Sequence, residues 1–279
     1  MSDRVTLSIT DGVADVRLNR PEKLNALDAA MFSALVETAD RLAGDPTVRA
    51  IVLSGEGRGF CSGLDMASFA AMADGREGPA ASESDGSEGA RLDSFVDRLP
   101  GRITNLAQQA AYAWTEMPTV VIAALHGAVL GGGIQIALGA DIRIVAPDAK
   151  LSVLEIRWGL LPDMTGPQML PRLVGLDVAK ELTFTGRMVS GEEAVTLGLA
   201  TRVSATPRDD ALALAREIAA KNPEAIRGAK ALLNAAGQRP LAESLLDETR
   251  RMAGLIGSPN QVEAVKAQLG QRAAVFRDG

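Results

Sequence analysis

The chain has 279 residues, a length that suits one large domain with an appendage. Hydrophobic residues make up 47% and aromatics 3%, so a substantial core is expected and Ala, Leu, Val and Ile must fill it. A formal net charge of −6 without any Lys/Arg run argues against a nucleic-acid partner, and a single cysteine, Cys61, excludes an intrachain disulfide.

The opening MSDRVTLSIT has no basic-then-apolar leader pattern. The longest apolar stretch, residues 119–128, is too short to span a bilayer and contains His126. A cytoplasmic protein without a membrane partner is therefore expected. Residues 5–10 and 13–19 alternate around Asp11-Gly12, a strong hairpin signal. Asp28 can cap a helix whose apolar stripe is Met31, Phe32, Leu35, Val36, Ala39 and Leu42, and Gly44-Asp45-Pro46 stops it. Residues 48–53 read as a buried strand, followed by a Gly-rich turn at 55–63.

Residues 71–89 hold Ala, Gly, Ser, Asp and Glu without an apolar period, and a mobile loop over 70–92 is predicted, either a surface insertion or a lid. A second pass of the same plan begins at Thr119: strand 120–125, Gly-rich turn, helix 132–138, strand 142–145. From Pro207 onward the pattern is helical, with helices predicted at 207–221, 223–236, 241–256 and 261–274. The expected division is a core over 1–200 and a helical C-terminal domain over 201–279 that assembles subunits and covers the site.

Three stretches can carry chemistry. Gly59-Phe60-Cys61-Ser62-Gly63-Leu64-Asp65 leaves a strand through small residues, which lets backbone amides approach a ligand. Gly131-Gly132-Gly133-Ile134-Gln135 opens a helix with three glycines, a choice that helix propensity disfavours but that exposes N–H groups at the positive end of the dipole. Its spacing fits neither a dinucleotide fingerprint nor a P-loop. The third stretch, residues 151–163, sets Glu155 and Asp163 in an apolar run. Desolvation there would favour their protonated forms and suit them to acid–base work. Each could instead pair with Arg143, Arg157 or Arg172. With one histidine and no Cys/His cluster, neither a Ser–His–Asp hydrolase nor a zinc site is supported.

Together with Asn19-Arg20-Pro21-Glu22-Lys23-Leu24-Asn25-Ala26-Leu27 and Gly139-Ala140-Asp141-Ile142-Arg143, these stretches resemble the enoyl-CoA hydratase/isomerase (crotonase) family. The resemblance implies an α/β fold, a crotonase-like spiral of strand–strand–helix units with a C-terminal helical domain, assembled as a homotrimer or homohexamer. It implies an acyl-CoA substrate, with coenzyme A as part of the substrate and no separate cofactor or metal. The two oxyanion-hole amides would fall on Leu64 and Gly132, where each donor is worth about 2.7–4 kcal/mol to the transition state.

By the same resemblance, Lys23, Leu24, Ala26, Ser62 and Asp65 would follow the CoA moiety, beside Gly131. Met66, Phe69, Trp158 and Met164 would serve the acyl pocket or the core. Hydratases of this family use two glutamates; Glu155 matches the second, but Gln135 stands at the first and cannot take up a proton. Asp163 resembles the extra acid of the dienoyl-CoA isomerase branch. Glu155 is then the main acid/base, Asp163 a second proton carrier or a like-charge neighbour, and Gln135 a group that orients water or substrate. Hydration is the first reading, double-bond isomerisation the alternative, and a catalytically weak acyl-CoA-binding protein the reading of another class.

Overall fold

The computed structural model describes residues 3–73 and 97–278. Strands β1 (Val5–Thr10) and β2 (Val13–Leu18) form the predicted antiparallel hairpin. Asp11 and Gly12 both have positive φ, as a tight turn matched to strand twist requires. Helix α1 (Ala29–Ala43) starts where predicted: the Asp28 carboxylate accepts from the Met31 amide at 2.8 Å, and all six stripe residues are buried.

Strand β3 (Ala50–Gly55) lies parallel to β2 and to β4 (Val120–Leu125). Strand β6 (Ile142–Val145) and the short β9 (Arg202–Val203) complete a six-stranded sheet in the order β1-β2-β3-β4-β6-β9. The uninterrupted apolar runs of β3 and β4 follow from burial on both faces. Ile51, Leu53, Val121 and Ala123 face the main core under α1. Ala50, Val52, Ile122 and Ala124 face the first C-terminal helix through Ala211, Ala215 and Ala219.

A second sheet, β5 (Ala128–Leu130), β7 (Lys150–Ser152) and β8 (Val189–Ser190), was not predicted, because strands of two or three residues carry no period. Helix α2 (Met66–Ala73) corrects the start of the predicted 70–92 loop: the Asp65 carboxylate accepts from the Ala67 amide at 2.8 Å, and the helix runs on through 70–73. The rest of that loop, with the lid assigned to it, lies outside the described residues. Helix α3 (Leu106–Glu116) was also missed, although Asn105 and Gln108 form a reciprocal capping box.

Helices α4 (Gly132–Leu138), α5 (Gly166–Val174), α6 (Leu176–Thr185) and α7 (Gly191–Thr196) complete the layer beside the second sheet. The C-terminal helices are α8 (Pro207–Ala219), α9 (Pro223–Ala235), α10 (Leu241–Leu255) and α11 (Pro259–Leu269). The last begins earlier than predicted, because the Ser258 hydroxyl accepts from the Gln261 amide and Pro259 takes the first helical position, and it ends earlier, at Leu269 before Gly270. Helix α8 shares the core of the sheet. Helix α9 is tied to it by Lys230, whose buried ammonium reaches the Asp141 carboxylate at 2.8 Å and the carbonyls of Thr119 and Trp114 at 3.0 and 3.2 Å. No described helix is long and apolar enough to cross a membrane.

Candidate active site

Two Gly-bearing turns meet beside the second sheet. The segment 61–65 runs between residues 24–27 and β5. On one side Leu27 donates to the Gly63 carbonyl at 2.8 Å and Asp65 to Leu27 at 3.0 Å; on the other Cys61 donates to Ala128 and Leu130 to Cys61, both at 2.9 Å. Leu64 is the middle residue of the parallel bridge to Leu27, so its own N–H faces away from 24–27. Among the backbone hydrogen bonds of the described residues, neither the Leu64 nor the Gly132 amide has an acceptor. Both residues line one cavity of about 240 Å³.

Each of the three glycines has its own reason. Gly131 holds φ +52° and ψ −123°, a conformation essentially confined to glycine. A β-carbon on Gly132 would come within 2.7 Å of Leu27 Cδ1, and one on Gly133 within 2.5 Å of the Cys61 carbonyl. The same construction locates the acid: a β-carbon on Gly131 would lie 3.7 Å from Glu155 Oε1 and 3.9 Å from Gly63 Cα. Glu155 thus stands where the two turns approach each other.

Glu155 opens the 3-10 turn Glu155–Trp158, separated from the end of β7 by Val153 and Leu154. Its Oε1 accepts from Gln135 Nε2 at 2.6 Å, while its Oε2 is buried without a hydrogen-bond partner. Gln135 is 1% exposed, and its Oε1 accepts from the amides of Met164 and Gly166 at 2.8 and 3.0 Å. Burial pushes the Glu155 carboxyl above its ordinary range, with a smaller upward push from the Asp163 charge; the Gln135 bond only partly opposes them. Asp163 lines the same cavity at its exposed edge. Burial by neighbouring atoms raises its carboxyl too, although the residue itself is exposed to solvent.

Of the other residues singled out in the sequence, Ser62, Gly131, Trp158 and Met164 line this cavity, whereas Lys23, Leu24, Ala26, Asp65 and Met66 stand outside its lining. Lys23 is exposed, and the Ser62 hydroxyl donates to its carbonyl at 3.3 Å. Met66 is 62% exposed on α2, and the Phe69 side chain is outside the described ones. Asp65 is buried and ion-paired with Arg20. Burial would raise its carboxyl, but the Ala67 amide and Arg20 outweigh that and hold it below the usual range.

Asn25, which in the sequence reads only as part of a motif, braces the site. Its Nδ2 donates to the carbonyls of Glu56 and Gly59 at 2.9 Å and of Phe60 at 3.1 Å, pinning residues 20–27 to the first turn. The available sequence signal was the residue type: Asn tolerates the left-handed region, which position 25 adopts, better than most residues. Phe32 and Ala107, which line the cavity from α1 and α3, read in the sequence only as helix-face residues or not at all. Cys61 is fully buried and its thiol is pushed up to about 12 by that burial, which leaves it a packing residue rather than a nucleophile. Among the described residues, no group of three or more His, Cys, Asp or Glu is placed to hold a metal ion.

The family model described as enoyl-CoA hydratase/isomerase matches residues 8–279. The chain is 33% identical over 272 residues to mouse mitochondrial enoyl-CoA hydratase domain-containing protein 2, covering 95% of this chain and 84% of the mouse protein. It is 32% identical over 263 residues to mouse mitochondrial methylglutaconyl-CoA hydratase, covering 92% and 76%. Among solved structures, an enoyl-CoA hydratase from Bacillus anthracis superimposes with a TM-score of 0.84 at 28% identity, over 99% of this chain and all of that one. With this coverage, and with two glycine turns and a buried glutamate around one cavity, the chain belongs to the enoyl-CoA hydratase/isomerase family and is an enzyme of that type.

Proposed function

We propose that Glu155 moves a proton on the acyl group of a 2-enoyl- or 3-enoyl-CoA thioester whose carbonyl oxygen is held by the amides of Leu64 and Gly132. The observation that carries this reading is the Glu155 carboxylate itself: one oxygen tied to Gln135, the other buried and unclaimed in the cavity. Two amides without acceptors beside it suit the negative oxygen of an enolate. The CoA moiety would pass along Lys23, Leu24, Ala26, Ser62, Asp65 and Met66, with Lys23 offering its charge to a phosphate and Asp65 bracing the segment through Arg20.

Within the hydratase/isomerase type, the contacts of Gln135 favour a double-bond shift. Its oxygen already accepts two amides and it cannot ionise, so a single buried base serves the cavity. One base suffices to take a proton from one carbon and return it to another. Hydration is the second reading: Asp163 puts a further ionisable carboxyl in the same lining, and both mouse relatives are named for hydratases. Their names differ on the acyl group, since a methylglutaconyl group ends in a carboxylate and a simple enoyl group does not. No separate cofactor enters this scheme. The test is absorbance at the enoyl-thioester band, with crotonyl-CoA and a 3-enoyl-CoA offered separately. A double-bond shift creates the band from the 3-enoyl substrate, and hydration removes it from crotonyl-CoA. Binding of both thioesters without either change would leave an acyl-CoA-binding protein.

A further inference from the structure

The cavity beside Glu155 has an apolar wall of Leu27, Phe32, Leu64, Leu160 and Met164. Among its described lining residues the ionisable groups are Glu155 and Asp163, both acidic, with no Lys, Arg or His. Two arginines of adjoining elements stand elsewhere. The Arg157 stem lies alongside Gly186, and Arg172 belongs to a separate groove toward the C-terminal helices, which meets the cavity only at Leu161 and Asp163.

From this lining we infer that the acyl group taken by this chain is short and uncharged, and that a carboxylate at its far end is rejected by Asp163 and Glu155. The inference rests on the thioester reading above and names the substrate class for it. An anionic end moved from water to an apolar wall needs a cation or several donors to meet it. Here it would meet two carboxyls instead, a like-charge arrangement that discriminates by repulsion rather than by added contacts. Size points the same way. At about 240 Å³ the cavity is smaller than the ~300–1,000 Å³ typical of sites for drug-sized ligands. It therefore suits an acyl chain of few carbons.

The test compares binding with turnover on the full chain. Calorimetric titration with butyryl-CoA, glutaryl-CoA and free CoA separates the acyl contribution from that of the carrier. Butyryl-CoA is expected to bind at least about tenfold more tightly than glutaryl-CoA, and D163N to narrow that gap several-fold by weakening the repulsion. In turnover, crotonyl-CoA or its 3-enoyl counterpart should exceed glutaconyl-CoA by at least the same factor, and a twelve-carbon enoyl-CoA should fall below the short ones. Equal affinity for butyryl- and glutaryl-CoA overturns the inference, as does a gap that D163N leaves unchanged. If no enoyl-CoA is turned over while butyryl-CoA still outbinds glutaryl-CoA, the reaction assignment fails and the charge selection stands. Failure of every thioester to bind more tightly than free CoA overturns both.

Discussion

At position 155, burial and hydrogen bonding act in opposite directions, and burial prevails. A general base must be deprotonated, so kcat/KM should rise with pH through an inflection above 4.5, the ordinary value for Glu. The sign for stability is the reverse. A carboxyl whose folded pKa is raised contributes fully below its unfolded pKa and loses that contribution as pH rises through the folded value. E155Q should therefore raise the neutral-pH melting temperature by about 1–3 °C while lowering turnover by about 10²–10⁴-fold and leaving CoA binding within a few-fold. Near-normal activity in E155Q would show that another group carries the proton. Gln135 acts through this carboxylate, so Q135M, which keeps volume but loses all three side-chain hydrogen bonds, should move the inflection upward and reduce kcat more than it changes KM. Titration of rate against pH in both proteins checks this; a lower melting temperature with an unmoved inflection would mark Gln135 as structural only. Glu155 and Asp163 were visible in the sequence as acids in an apolar run. The bond from Gln135 to Glu155 and the two amides on the Gln135 oxygen were not, because they join residues that only the fold brings together.

Among the elements, those with a full amphipathic period or a turn signature were legible: the Asp11-Gly12 hairpin, the Asp28-capped helix, β4, and helices α8 to α10. Those held in place by neighbours were not, notably β5, β7 and β8 and the short helices α5 to α7. Lys230 shows why helix α9 needs more than propensity to dock. Burial lowers its ammonium pKa, the Asp141 charge opposes that, and the ammonium donates hydrogen bonds to two backbone carbonyls. Removing the cation strands a carboxylate and two carbonyls. K230M should cost about 3 kcal/mol, read as a lower urea midpoint. K230M/D141N should recover part of it, because an Asn oxygen can still accept from the Val121 amide. An unchanged midpoint in K230M would show that the pair contributes nothing net.

Over the whole molecule, the last two helices and the residue that ends α10 present Leu241, Leu245, Met252, Ile256 and Leu269 to solvent on the isolated chain. Large apolar side chains left exposed in number are a feature of association surfaces. We propose that they meet further copies, giving the homotrimer or homohexamer expected from the family resemblance. Sedimentation equilibrium should then return three or six chains. Replacing Leu245 and Ile256 together by Lys should yield a smaller species that remains folded by circular dichroism; a monomeric parent protein would refute the assignment.

The amide at position 135 also has an evolutionary implication. Glutamine and glutamate codons differ by a single nucleotide, and the Met164 and Gly166 N–H groups would welcome a carboxylate oxygen as readily as a carbonyl one. Packing therefore erects little barrier between the two residues. What separates them is the adjoining Glu155 oxygen 2.6 Å away, beside which a second negative group is tolerated only when one of the pair keeps its proton. A lineage could cross between one-acid and two-acid chemistry in one mutational step, with the shared proton, rather than the architecture, deciding which side it occupies.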